Sequence, residues 1–70
     1  MTFYWIQWLT RTTNGQLRQY YRSVKDMQDG RTQAAKLQQR ANVLDLWVKA
    51  DHDRTVIGER FRTVGELARM

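Results

Sequence analysis

The spacing of hydrophobic positions changes several times along this chain, and each change marks an element. Thr2 to Arg11 is dense in aromatic and β-branched residues: Phe3, Tyr4, Trp5, Ile6, Trp8, Leu9 and Thr10. Side chains of these types fit a pleated strand. They fall on both sides of it: Phe3, Trp5 and Leu9 point one way, Tyr4, Ile6 and Trp8 the other. A strand apolar on both faces belongs in the middle of a sheet, or beneath a partner on its second face. Thr12-Thr13-Asn14-Gly15 follows. Asn-Gly between two strand-like runs predicts a hairpin closed by a type I′ turn, with positive φ at both central residues. Residues 16–24 are then the second strand. Its odd positions (Leu17, Gln19, Tyr21, Ser23) suit a core, and its even positions carry a basic-aromatic stripe of Arg18, Tyr20 and Arg22.

The spacing then lengthens. Met27, Ala34, Leu37, Gln38 and Ala41 follow the positions of one helix face, and residues 33–41 are good helix formers. Ser23 and Asp26 have the separation of a weak capping box. Gly30 interrupts the pattern and moves the expected helix start to Asp29 or Thr32, with Asn42 as the expected stop. Alternation returns over Val43 to Ala50, with Leu44, Leu46, Val48 and Ala50 on one side and Asp45, Trp47 and Lys49 on the other. Asp51-His52-Asp53 reads as a turn. Arg54 to Arg62 is a fourth strand, in which Gly58 marks a bulge or a close approach. Thr63 and Glu66 fit a capping box for a last helical turn, Val64 to Ala68.

Strand, strand, helix, strand, strand predicts an α+β fold: a small ββαββ domain with a four-stranded sheet, one helix packed across one face, and a short C-terminal helical turn. At 70 residues the chain is expected to be a single domain. Two strand orders fit. In one, the two hairpins set the first and fourth strands centrally and parallel. In the other, the strands form a simple meander.

Composition changes this picture in three respects. No cysteine is available for a disulfide or for a Cys-ligated zinc, so the small core needs nearly every apolar residue or a partner's help. The longest near-apolar stretch, Phe3 to Leu9, is far below the length of a membrane span and lacks the flanks of a signal peptide. A cytoplasmic location without membrane attachment is therefore expected. Twelve Lys and Arg against seven Asp and Glu leave a net charge of +5, and residues 1–25 contain no acid. Such a balance attracts phosphate or acidic proteins, or simply keeps a small domain soluble.

Candidate chemistry is sparse. Ser23 and His52 are the single serine and histidine, separated by the helix and the third strand. Asp51, His52 and Asp53 on one tight turn cannot converge on an ion. The four glycines match neither a P-loop nor a dinucleotide-binding motif. Glu59 reads either as a carboxylate on the core side of the fourth strand or as an ion-paired edge residue. No enzyme activity, cofactor or metal is expected.

The feature with binding chemistry is a basic-aromatic sheet face. If the odd side of the second strand packs on the helix, the opposite face gathers Arg18, Tyr20, Arg22, Trp47 and Lys49, with Arg60 and Arg62 from the fourth strand. Arg and aromatics are the anchors of protein interfaces, and they also stack bases and neutralise phosphates. The leading expectation is a non-enzymatic protein-docking module. Its size and class suggest a small inhibitor or adaptor, of the kind phages and mobile elements use, acting on a nucleic-acid-handling complex. Direct nucleic-acid binding is the alternative, and a homodimer burying that face is the third.

Overall fold

The structure is a computed structural model and describes residues 1–67. Its elements are β1 (Thr2–Arg11), β2 (Leu17–Val24), α1 (Met27–Leu37), β3 (Val43–His52), β4 (Thr55–Arg60) and α2 (Val64–Leu67). The strands form one antiparallel sheet in the order β2-β1-β3-β4, with α1 packed on one face. The expected α+β class and element order are thus observed. Ala68, the last residue of the expected terminal turn, lies outside the described residues.

The strand order differs from both expectations. β1 and β3 are the central pair and run antiparallel, while β4 is an edge. β2 and β3 are parallel with β1 between them, so α1 closes a split β-α-β crossover. Burial explains the choice. Val43, Leu44, Leu46, Val48 and Ala50 of β3 are all buried, so β3 takes two neighbours. β4 carries Val56 and Ile57 more than half exposed, as an edge strand can.

The first hairpin does not close through the expected type I′ turn. Gly15 has φ +84, but Asn14 does not adopt positive φ. The Gly15 N–H bonds to the Thr12 carbonyl and the Thr12 N–H bonds to the Gln16 carbonyl. This is a type I turn followed by a left-handed glycine, a longer loop than a two-residue type I′ turn. The extra loop residue pairs Trp8 with Tyr20 and Ile6 with Arg22. A one-residue slip in register turns every side chain of a strand to the other face. Arg18, Tyr20 and Arg22 therefore share the helix side with Ile6 and Trp8, and the odd positions of β2 face away from it. The type I′ geometry occurs instead in the second hairpin, at Asp53 (φ 47) and Arg54 (φ 68).

The core lies between α1 and the sheet: Ile6, Trp8, Ala34, Leu37, Val43, Leu46 and Val48, joined by half-buried Val24, Met27 and Phe61. α1 begins earlier than expected. Asp26 is its N-cap, accepting from the Asp29 N–H at 2.8 Å, and Asp29 accepts in return from the Lys25 N–H at 3.0 Å. The capping pair is thus three residues later than Ser23 and Asp26. Gly30 is buried inside the helix, where a Cβ would stand 2.6 Å from Val48 Cγ1 and 3.3 Å from Val24 Cγ2. Its lack of a side chain lets the helix approach the sheet. α1 also ends at Leu37, before Asn42, because turn hydrogen bonds from Arg40 to Leu37 and from Val43 to Arg40 redirect the chain into β3.

At the start of β3, Gly65 sits against the Ala41 and Val43 carbonyls, so α2 closes that end of the sheet. Thr63 is fully buried and caps α2 by accepting from the Glu66 N–H at 2.9 Å, as its spacing predicts.

Candidate binding faces of the sheet

Register assigns every strand residue to a face. Away from α1, β1 contributes Phe3, Trp5, Gln7 and Leu9, and β2 contributes Leu17, Gln19, Tyr21 and Ser23. β3 adds Asp45, Trp47, Lys49 and Asp51, and β4 adds Val56, Gly58 and Arg60. The elements packed near this open face reach only one corner of it. There Arg60 donates to Asp45 at 3.2 Å and to Glu66 of α2 at 2.6 Å. The rest is uncovered among the described residues, with Tyr21 67 %, Phe3 58 % and Leu17 56 % exposed.

The open face is ordered from within. Trp47 lies over Gly58, whose missing Cβ would be 3.1 Å from the indole ring. Gly58 is therefore a close approach, one of its two expected roles. The Lys49 ammonium sits 5.1 Å above the Trp47 ring, and the indole N–H points to Asp45 at 3.4 Å. Trp5 donates to Gln7 at 3.2 Å. A groove of about 530 Å³ opens at one end, walled on this face by Phe3, Trp5, Gln7, Tyr21 and Ser23 and continued past the sheet end by Tyr4, Val24 and Lys25. Charge on this face nearly balances: Arg11 opposite Leu17, Lys25 at the groove, Lys49 and Arg60 against Asp45, Asp51 and Glu66. The Arg60 guanidinium is already neutralised, and the hydrogen bonds it donates, to Asp45 first and Glu66 second, hold its pKa above the ordinary value.

The expected seven-residue platform is consequently split. Trp47, Lys49 and Arg60 lie on the open face. Arg18, Tyr20 and Arg22 lie on the helix side, at the β2 edge that α1 leaves partly uncovered. Arg62 is on neither, since it follows β4 in the link to α2, where its carbonyl accepts from Gln38 Nε2 at 2.7 Å. Phe3, Trp5, Leu9, Leu17 and Tyr21 were not foreseen as a set. The two-sided apolarity of β1 is the signal that could have found them, had the hairpin register been known.

The helix-side edge has its own organisation. Trp8 and Tyr20 stack with centroids 5.5 Å apart and planes 20° apart. The Arg22 guanidinium lies 5.3 Å above the Trp8 ring and donates to Gln33 of α1 at 3.1 Å. Gln33 in turn donates to Asp29. The Lys25 N–H first, and Gln33 second, hold the Asp29 pKa below its ordinary value. Glu59 lies opposite Val48 on the helix side of β4, at the other edge of the sheet, and is ion-paired with Arg31 of α1 at 2.9 Å, so both expectations for it meet in one place.

Ser23 and His52 sit on strands separated by β1; His52 contacts Thr2 and Asp53. No helix among the described residues is long and apolar enough to cross a membrane. Compared with known proteins, the chain matches no family model, no curated protein and no solved structure.

Proposed function

We propose that this chain is a non-enzymatic protein-docking module that acts by occupying a partner's surface with the open face of its sheet. The observation that carries this reading is the co-facial set Phe3, Trp5, Leu9, Leu17, Tyr21 and Trp47 on a face that α1 does not cover. Aromatic anchors around a groove, with polar side chains at the margin, are the chemistry of a protein interface. Near-neutral charge on the same face favours a protein over a polyanion, because Arg60 is already committed to Asp45 and Glu66. The part of an adaptor or inhibitor fits this chemistry, since either works by contact and not by turnover.

The test is capture from a nuclease-treated lysate of the cells that encode the chain. Wild-type protein is expected to retain a partner. The Leu17→Ser/Tyr21→Ser variant, altered only at exposed positions, is expected to lose it by more than tenfold. Capture that depends on nucleic acid, or that the double variant leaves intact, would overturn the proposal.

A further inference from the structure

We infer that the chain has a second binding surface, on the opposite side of the sheet, for single-stranded nucleic acid. It consists of Arg18, Tyr20 and Arg22 on the β2 edge, with Trp8 behind them. β1 and β2 contain no carboxylate, and among the described residues neither Arg18 nor Arg22 is ion-paired. Arg22 is held by a neutral partner, Gln33, and by the Trp8 ring, so it is positioned without being neutralised. The acid nearest Arg22, Asp29, is held by the Lys25 N–H and by Gln33, and Glu59 lies across the sheet on β4, paired with Arg31. This is the reverse of Arg60 on the open face.

The spacing of these side chains suits a flat ring. Alternate residues of a strand stand about 6.8 Å apart on one face. Arg18 and Tyr20 thus flank a slot about as wide as one flat ring stacked on both sides. Tyr20 is 41 % exposed and braced from behind by Trp8. An unpaired base entering that slot would extend the run Arg22, Trp8, Tyr20. Arg18 and Arg22, at the two ends of the run, are far enough apart to hold different phosphates of one strand. A duplex does not offer its base faces to such a slot, so the surface selects single strands.

The experiment is fluorescence anisotropy of a labelled oligo-dT of about 15 nucleotides, titrated with the full chain from about 20 mM salt upward. Wild type is expected to bind with steep salt dependence, and Arg18→Gln and Arg22→Gln each to reduce the log–log slope by about 0.7. Tyr20→Leu is expected to weaken binding about 5- to 100-fold with the slope unchanged. Tyr20→Phe keeps the ring and should bind as wild type does, which separates lost stacking from lost folding. Tyr21→Ser, on the open face, should have no effect. The inference is overturned by no binding at the lowest salt, by equal or tighter binding of the matching duplex, by an unchanged affinity in Tyr20→Leu, or by an equal loss in Tyr21→Ser.

Discussion

Replacing Gly30 by alanine is expected to destabilise this domain, although alanine is the better helix former. In an open helix the exchange gains about 1 kcal/mol. Here the new methyl would meet Val48 Cγ1 at 2.6 Å, with Val24 Cγ2 at 3.3 Å and Ile6 Cγ2 at 3.7 Å. Val48 is fully buried in the central strand and cannot turn aside without moving its neighbours. Overpacking of this kind costs about 1–3 kcal/mol. With the shortest contact so far inside van der Waals distance, the upper part of that range applies, and the net loss is about 1–2 kcal/mol. For a chain of this size that lowers Tm by about 5–15 °C. A double-mutant cycle with Val48→Ala isolates the cause. Removing Cγ1 opens the space, so Gly30→Ala should become stabilising in that background by about 0.5–1 kcal/mol, a coupling of about 1.5–3 kcal/mol. Urea denaturation of the four proteins, followed by Trp fluorescence and by helix circular dichroism, measures each corner. Gly30→Ala stabilising the wild type, or costing the same in both backgrounds, would refute the close-approach argument.

Other consequences follow from the turns and caps. Arg54→Gly should stabilise by about 0.5–1 kcal/mol, because Arg54 holds φ 68 where glycine carries no steric penalty; thermal melts measure this. Gly15→Ala, at φ +84 but in open space, should cost about 1 kcal/mol through backbone strain alone, with hairpin chemical shifts otherwise unchanged. Asp26→Ala removes the acceptor for the Asp29 N–H and should cost about 1 kcal/mol. Asp29 contributes stability that is complete above its unfolded-state pKa and is lost as pH falls through its lower folded-state value. Stability should therefore drop as pH falls below about 4, and Asp29→Asn should flatten that part of a Tm-against-pH curve.

Much of the fold was legible because period-2 and helical spacing are local properties. Val43 to Ala50 alternates cleanly and is the most buried strand. The two-faced character of Thr2 to Arg11 correctly implies a central position. What escaped a reading of residues alone were the features set by single atoms or single residues. One extra residue in the Thr12–Gln16 loop decides which side of the sheet carries Arg18, Tyr20 and Arg22, and Asn-Gly is compatible with both loop types. Gly30 looked like a flaw in a helix because its reason, the Val48 methyl, is 18 positions away in sequence. The strand order depended on whether β3 or β4 joins β1. The exposed Val56 and Ile57 show that hydrophobicity by itself did not distinguish an edge from a centre.

These same details reorganise the functional picture. A single basic-aromatic platform would leave proteins and nucleic acids competing for one surface. The observed register separates two chemistries onto two sides of one sheet. On the open side, aromatic and aliphatic groups accompany nearly balanced charge. On the helix side, unneutralised guanidinium groups flank a stacked pair of rings. On the two readings proposed above, the sheet would be a rigid spacer between a protein partner and a single strand.

The most direct test of the protein-docking reading is site-specific photocrosslinking. A benzophenone amino acid is placed either at Tyr21 on the open face or at exposed Ala35 on the solvent side of α1. The proposed contact predicts a covalent adduct with the captured protein partner from position 21 and none from position 35. An adduct from position 35 without one from position 21, or a partner retained on the chain that neither position can crosslink, would contradict it.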